Sequence, residues 1–247
     1  MTQKTSNTLI VGGSGNFGKA IAKELASSNH NLVLTYFSQK EVSDLKNLAN
    51  QLKENFSVKI LLAKLNVRND SQIKNFIKNC SLPINNLVYC VSTPIAFKTI
   101  NQEKWDDYET HYQVQVKGLW YLIKLLIKNN FPIKRIVALG SICLFDVPPA
   151  RLASYTVAKY ALWGFVKTAA IELAPQNITV NLISPGLAGK GASSIYPELI
   201  LELVKKQTPL KRLVSADDIA YLVNFLVSGK ADYLTGLNIP VAGGFHM

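Results

Sequence analysis

Apolar positions along this chain follow two rhythms. Short unbroken apolar runs, beginning with Leu9-Ile10-Val11, suit strands covered on both faces. Between them, apolar residues recur every three or four positions, as in a helix with one buried side. Strands are expected at 9–11, 31–37, 58–65, 86–91, 135–139, 178–183 and 237–241. Helices are expected at 19–26, 41–56, 71–80, 101–129, 152–174 and 216–227. In 41–56, for instance, Val42, Leu45, Leu48 and Leu52 share one face, and Asp70 or Ser71 caps the helix that follows. Such alternation predicts an α/β fold, a doubly wound parallel sheet (a Rossmann fold) of about seven strands with helices on both faces. No linker, repeat or composition break interrupts it, so residues 1–247 are expected to form a single domain. The segment 187–208 departs from the rhythm. Its first half carries Gly, Ser and Pro and its second half is amphipathic, which reads as a substrate lid flexible at Gly189 and Gly191.

Gly12-Gly13-Ser14-Gly15-Asn16-Phe17-Gly18 lies between the first strand and the first helix. A strand, a glycine-rich turn and a helix make the phosphate cradle of dinucleotide-binding folds. Glycines let backbone N–H groups approach a pyrophosphate, and the helix N-terminus carries partial positive charge. Gly12, Ser14, Gly15, Asn16, Phe17 and Gly18 are therefore the candidate contacts of this loop. The second strand ends in Phe37-Ser38-Gln39-Lys40, with no carboxylate before Glu41. A carboxylate there would hold a ribose 2′-hydroxyl and repel a 2′-phosphate, whereas Ser38 and Lys40 could accept one. The expected cofactor is NADP(H) in preference to NAD(H).

A second constellation falls at 141–159. Val137-Ala138-Leu139-Gly140-Ser141 reads as a strand ending in a hydroxyl, and Tyr155 and Lys159 lie one helical turn apart. A tyrosine titrates near pH 10, too high for efficient acid–base work at neutral pH. An ammonium one turn away favours the phenolate and lowers that value. The bare Tyr-x-x-x-Lys pattern also suits an ordinary amphipathic surface, so its surroundings must decide.

Composition narrows the classes. With 48% hydrophobic residues among 247 the chain can bury a sizeable core. No apolar run approaches the roughly 20 residues of a membrane helix, and the start runs directly into a strand, leaving no room for a signal peptide. Cys80, Cys90 and Cys143 form no Cys-x-x-Cys pair and read as reduced thiols, with no metal site. A cytoplasmic location is expected. The net charge of +11 fits either a solvated lysine-rich surface or attraction to an acidic partner, such as a carrier protein or a polyphosphorylated substrate. Its lysines are scattered, which disfavours nucleic acid. His30, His111 and His246 are far apart and read as unremarkable surface or interface residues, and Trp105, Trp120 and Trp163 as core or subunit contacts. Phe145, Val147, Leu152, Ile195 and Tyr196 would form an apolar pocket or a packed lid.

Together these motifs resemble the short-chain dehydrogenases/reductases, in the single-domain branch that includes the 3-oxoacyl-carrier-protein reductases. The resemblance spans the chain: the glycine loop, Ser141, Tyr155 to Lys159, Asn177 to Gly186, Thr208-Pro209-Leu210-Lys211-Arg212 with Asp218-Ile219-Ala220, and Tyr233 to Gly244. It implies that Tyr155 is the general acid that protonates a carbonyl oxygen and that Ser141 holds that oxygen. Lys159 would lower the Tyr155 pKa and bind the nicotinamide ribose, with hydride coming from the nicotinamide. Asn66 and Val67 match the adenine-contacting pair, and Pro185, Gly186 and Ala188 the backbone near the nicotinamide. Relatives often form homodimers or homotetramers through two long helices, here 101–129 and 152–174, where Trp120, Tyr160 and Trp163 would suit an interface.

Four places depart from the family pattern. Asn16 stands where the single-domain branch has glycine, and the spacing of Gly12, Gly15 and Gly18 is that of a longer, sugar-nucleotide-modifying branch. Tyr89-Cys90-Val91-Ser92 replaces Asn-Asn-Ala-Gly, leaving the backbone at Cys90 to line the cofactor. Gln115 matches the asparagine that holds a relay water, keeping the amide on a longer stem. Gly189-Lys190-Gly191 lies where a threonine is common, with Ser193 or Ser194 as substitutes. The resemblance implies an NADPH-dependent carbonyl reductase acting on a 3-oxoacyl chain held by an acyl carrier protein. Its alternatives are an NAD(P)-dependent dehydrogenase of a small alcohol, steroid or sugar, and a non-catalytic subunit or regulator.

Overall fold

The computed structural model describes residues 6–145, 147–189, 191 and 195–245. Lys190, Ser193, Ser194 and His246, each given a reading above, lie outside these residues. The chain runs β1 (Asn7–Val11), α1 (Asn16–Ser27), β2 (Asn31–Tyr36), α2 (Val42–Phe56), β3 (Ile60–Lys64), α3 (Asp70–Asn79) and β4 (Asn86–Tyr89). It continues through α4 (Trp105–Tyr112), α5 (Gly118–Lys128), β5 (Arg135–Leu139), α6 (Ala153–Leu173), β6 (Thr179–Pro185), α7 (Glu198–Gln207), α8 (Ala216–Val227) and β7 (Asn238–Val241).

The seven strands form one parallel sheet in the order β3-β2-β1-β4-β5-β6-β7. Leu9 pairs with Val33 on one side of β1, and Val11 with Tyr89 on the other. Because neighbouring side chains point to opposite faces, the uninterrupted apolar β1 supplies both. Leu9 and Val11 pack with Leu119, Leu122 and Val166 beneath α5 and α6. Ile10 joins Ile21, Leu45, Ile219 and Val223 beneath α1, α2 and α8. Each such side chain contributes roughly 2 kcal/mol through its burial. The winding reverses between β1 and β4, opening a crevice at the carboxyl ends of the strands, where ligands bind in open α/β sheets.

The expected helix 101–129 differs in two respects. It begins at Trp105, where the Asp107 carboxylate accepts from the Lys104 backbone N–H at 2.9 Å and caps the first turn. It is also interrupted by a π-helical turn, Gln113–Lys117, which carries Gln115. Trp105 is 76% exposed and is no core residue. Glu103, just ahead of α4, accepts from the Ser154 backbone N–H at 2.9 Å and from the Tyr108 hydroxyl at 2.7 Å. This clamp fixes α4 against the start of α6, and so against Tyr155. Among the described residues no helix is long and apolar enough to cross a membrane.

Candidate active site

A cavity of about 800 Å³ opens at the crevice. Gly15, Asn16 and Phe17 from the first loop, Cys90 after β4, Ser141 after β5, Tyr155 and Lys159 from α6, and Pro185 and Gly186 after β6 all line it. Ile195, Tyr196, Ile200 and Val204 close it from the 187–208 segment.

The loop side is built by close approach. Gly12 sits at φ +90°, and a Cβ there would meet the Cys90 backbone at 3.1 Å. A Cβ on Gly18 would overlap the Gly12 carbonyl, so only glycine lets α1 close on the loop. Gly15 caps α1 with no side-chain hydrogen bond, which leaves the first-turn N–H groups to face the cavity. These residues fit a dinucleotide pyrophosphate. Ser14 turns aside, and its hydroxyl donates to Glu41 Oε2 at 3.1 Å. The same oxygen accepts from the backbone N–H groups of Phe37, at 3.2 Å, and Ser38, at 3.1 Å. Glu41, given no role by the sequence, thus ties the end of β2 to the glycine loop. Ser38 accepts from the Lys40 backbone N–H at 3.2 Å, and both lie on this turn outside the cavity wall.

Other expected cofactor contacts are placed further off. Asn66 is held by its own turn, its N–H donating to Gln72 and its Oδ1 accepting from the Arg68 N–H, both at 3.0 Å. It lines a separate surface depression with Arg68 and Lys117. Val67 is buried against Gly118, and Ala188 is buried beyond Gly186.

On the catalytic side, β5 delivers Ser141, whose hydroxyl hydrogen-bonds Tyr155 and accepts from the Cys143 N–H at 3.4 Å. Tyr155 faces the cavity and is half-buried, yet the protein around its hydroxyl is dense. Burial, with smaller contributions from Cys143 and Tyr196, pushes its pKa well above 10, and the Ser141 hydrogen bond only partly offsets this. The downward pull expected from Lys159 does not contribute. Although the two residues share a helix face, Lys159 Nζ passes 5.6 Å from the Tyr155 ring centre and donates to the Leu139 carbonyl at 2.8 Å. Burial lowers the Lys159 pKa to about 8. The phenol is therefore protonated at neutral pH, the state from which a proton donor starts, but without the lowered pKa expected from the helical pairing.

Gln115 is buried on the π-turn behind this wall, not on the cavity surface. Its Nε2 lies 3.4 Å from His111 Nδ1, and its Oε1 has no hydrogen-bond partner among the described residues. His111 corrects the sequence reading, because it is buried, hydrogen-bonded to Thr93 and set edge-on to Tyr155. Its spacing of four from Gln115 was the available signal, since it places both on one helix face. His30 is also buried, 2.9 Å from Thr8 Oγ1. Tyr89, the last residue of β4 and the first of the altered segment, donates its hydroxyl to the Val114 carbonyl within the π-turn. A Cβ on Gly118 would meet that hydroxyl, so Tyr89 and Gly118 fit each other.

A family model described as enoyl-(acyl carrier protein) reductase matches residues 13–246. The chain belongs to the short-chain dehydrogenase/reductase family. It is an NAD(P)-dependent oxidoreductase of that family. The 3-oxoacyl-[acyl-carrier-protein] reductase FabG of Buchnera aphidicola (subspecies Baizongia pistaciae) is 32% identical over 97% of this chain and 96% of its own length. FabG of Aquifex aeolicus is 29% identical over 96% of each chain. Among solved structures, levodione reductase superposes with a TM-score of 0.90 at 19% identity over 99% of both chains. The NADH complex of 3-ketoacyl-(acyl-carrier-protein) reductase from Brucella melitensis gives 0.85 at 20% identity over 98% of both. These structures share the doubly wound fold.

Proposed function

We propose that this chain is an NADPH-dependent reductase of a 3-oxoacyl group carried on an acyl carrier protein. The observation that carries the reading is the convergence of Ser141, Tyr155 and Lys159 on one cavity with many apolar wall residues, among them Ile95, Val147, Leu152, Ile200 and Val204. A bound reduced nicotinamide supplies hydride to the carbonyl carbon. Ser141 and Tyr155 hold the carbonyl oxygen, and Tyr155 gives it a proton as negative charge develops there. In this reading Lys159, anchored to Leu139, supplies a cation to the site and binds the nicotinamide ribose.

The net charge of +11 supports an acidic carrier as substrate bearer. The segment 187–208 serves as a lid over the acyl chain, since its Ile195, Tyr196, Ile200 and Val204 already form the cavity roof. A single domain, a cytoplasmic location and a homodimer or homotetramer through α5 and α6 belong to the same reading. Trp120, Val157 and Tyr160 stand exposed on those helices.

Ser38 and Lys40 support NADPH. One observation favours NADH as a second reading, namely the Glu41 carboxylate set against the end of β2 and the glycine loop. The test is oxidation of each cofactor with 3-oxoacyl thioesters on a carrier protein and on a small thiol. Faster turnover of the carrier-borne substrate with NADPH is expected. No turnover of any 3-oxoacyl thioester, with oxidation of an alcohol or sugar instead, would overturn the reading.

A further inference from the structure

His111 is a buried titratable group beside the catalytic tyrosine that the scheme above does not use. Its ring centre lies 5.8 Å from that of Tyr155, with the planes at 80°, an edge-on packing favoured by aromatic pairs. Its Nδ1 makes two hydrogen bonds, to the Thr93 hydroxyl and to Gln115 Nε2, the latter at 3.4 Å. As the Gln115 amide is oriented, its NH₂ faces Nδ1 and can only donate, which assigns Nδ1 as the acceptor and the ring proton to Nε2. The Thr93 hydroxyl must then donate to Nδ1 as well, which turns its lone pairs away from the ring. Thr93 lines the cavity, as does Tyr155. One imidazole thus touches both the acid and another hydroxyl of the cavity lining.

The charges around the ring explain why it stays neutral. Lys159 and Tyr155 face it from α6, and Asp107 and Glu103 from α4 and the turn before it, with Asp107 already paired to Lys98 at 2.7 Å. Burial, then the Lys159 cation, hold the His111 pKa below its ordinary 6.5, and the two carboxylates only partly offset them.

We propose that His111, neutral and carrying its proton on Nε2, is a positioning residue of the carbonyl-reducing site. Through Thr93 and the edge of Tyr155 it sets the two walls between which acid and carbonyl meet. Protonating Nδ1 in acid forces Thr93 to become the acceptor, breaks the Gln115 contact and puts a second cation near Lys159. Turnover therefore falls at low pH because this imidazole charges. The inference rests on the reductase reading.

Two variants separate alignment from simple packing. In His111→Asn the side-chain oxygen replaces Nδ1 as acceptor for Thr93 and cannot be protonated. In His111→Leu the space is filled and the acceptor is gone. The experiment follows kcat and KM against pH for both and for wild type, with imidazole ¹⁵N NMR on wild type. The wild type should show a fall in kcat below pH 6.5 and an Nε2–H tautomer at neutral pH. The Asn variant should keep kcat within about threefold and lose the acid limb, whereas the Leu variant should lose about tenfold in kcat with KM little changed. Should the Leu variant fail to fold, the Asn variant and the NMR tautomer still decide. An acid limb that persists in the Asn variant, an Nδ1–H or charged ring at neutral pH, or a Leu variant with wild-type kcat would each overturn the proposal. A wild type that reduces no carbonyl would overturn the reductase reading as well, which distinguishes the two failures.

Discussion

Lys159 reaches back across the site and donates from Nζ to the Leu139 carbonyl at 2.8 Å, fastening α6 to the last residue of β5. Ser141 follows that residue by two, so one buried ammonium fixes the strand end that carries the carbonyl clamp. The arrangement has a thermodynamic signature. Folded, Lys159 loses its proton near pH 8, because burial disfavours its charge; unfolded, it holds the proton to its ordinary 10.5. Between those values the unfolded chain binds more protons, so this group makes stability rise with pH across that window. Urea midpoints at about pH 7.5 and about pH 9.5 should therefore rise more for wild type than for Lys159→Met. Identical pH dependences in the two proteins would show that the lysine is not buried as an ammonium.

Tyr89 and Val114 carry the second prediction. The Tyr89 hydroxyl is buried and donates to a carbonyl inside the π-turn that holds Gln115. Tyr89→Phe removes that bond with little change of shape and should destabilise the fold by about 1 kcal/mol. Chemical denaturation should show this loss while cofactor affinity stays within about twofold, since the glycine loop is untouched. A larger loss of affinity than of stability would mean that Tyr89 acts on the cofactor site.

The proposed cofactor choice turns on two neighbours of opposite sign, Lys40 and Glu41. Lys40 lies on the turn that could receive a 2′-phosphate, while the Glu41 carboxylate is spent on Ser14 and two backbone N–H groups. Lys40→Glu should cut kcat/KM for NADPH by about tenfold or more and leave NADH little changed. Glu41→Gln keeps an acceptor but removes charge, and should raise the NADPH-to-NADH ratio several-fold. Steady-state rates with both cofactors read both effects, and unchanged ratios in both variants would move the 2′-position elsewhere.

Much of this molecule could be read from residue order because its signals are local. The strand at 9–11, the glycine turn and the helix after it each need only near neighbours, and the parallel sheet follows from their alternation. Tyr155 and Lys159 were likewise visible as a helical pair, although the length of the lysine stem decided where its ammonium went. His111 was missed because its burial depends on how Glu103 clamps α4 to α6; its spacing from Gln115 gave only a shared helix face. The π-turn was missed because one unusual turn leaves apolar spacing almost intact. Glu41 was judged by its distance along the chain from β2, but the turn brings its carboxylate back onto Phe37 and Ser38. In each case the decisive contact was long-range or depended on side-chain reach.

The account stands or falls with Tyr155 as the proton donor to a substrate carbonyl. The direct measurement is NADPH oxidation by wild type and Tyr155→Phe with a saturating carrier-bound 3-oxoacyl thioester, alongside cofactor binding by each protein. The variant should bind cofactor like wild type and lose at least about a hundredfold in kcat. A Tyr155→Phe protein that binds cofactor and turns over at the wild-type rate would contradict it.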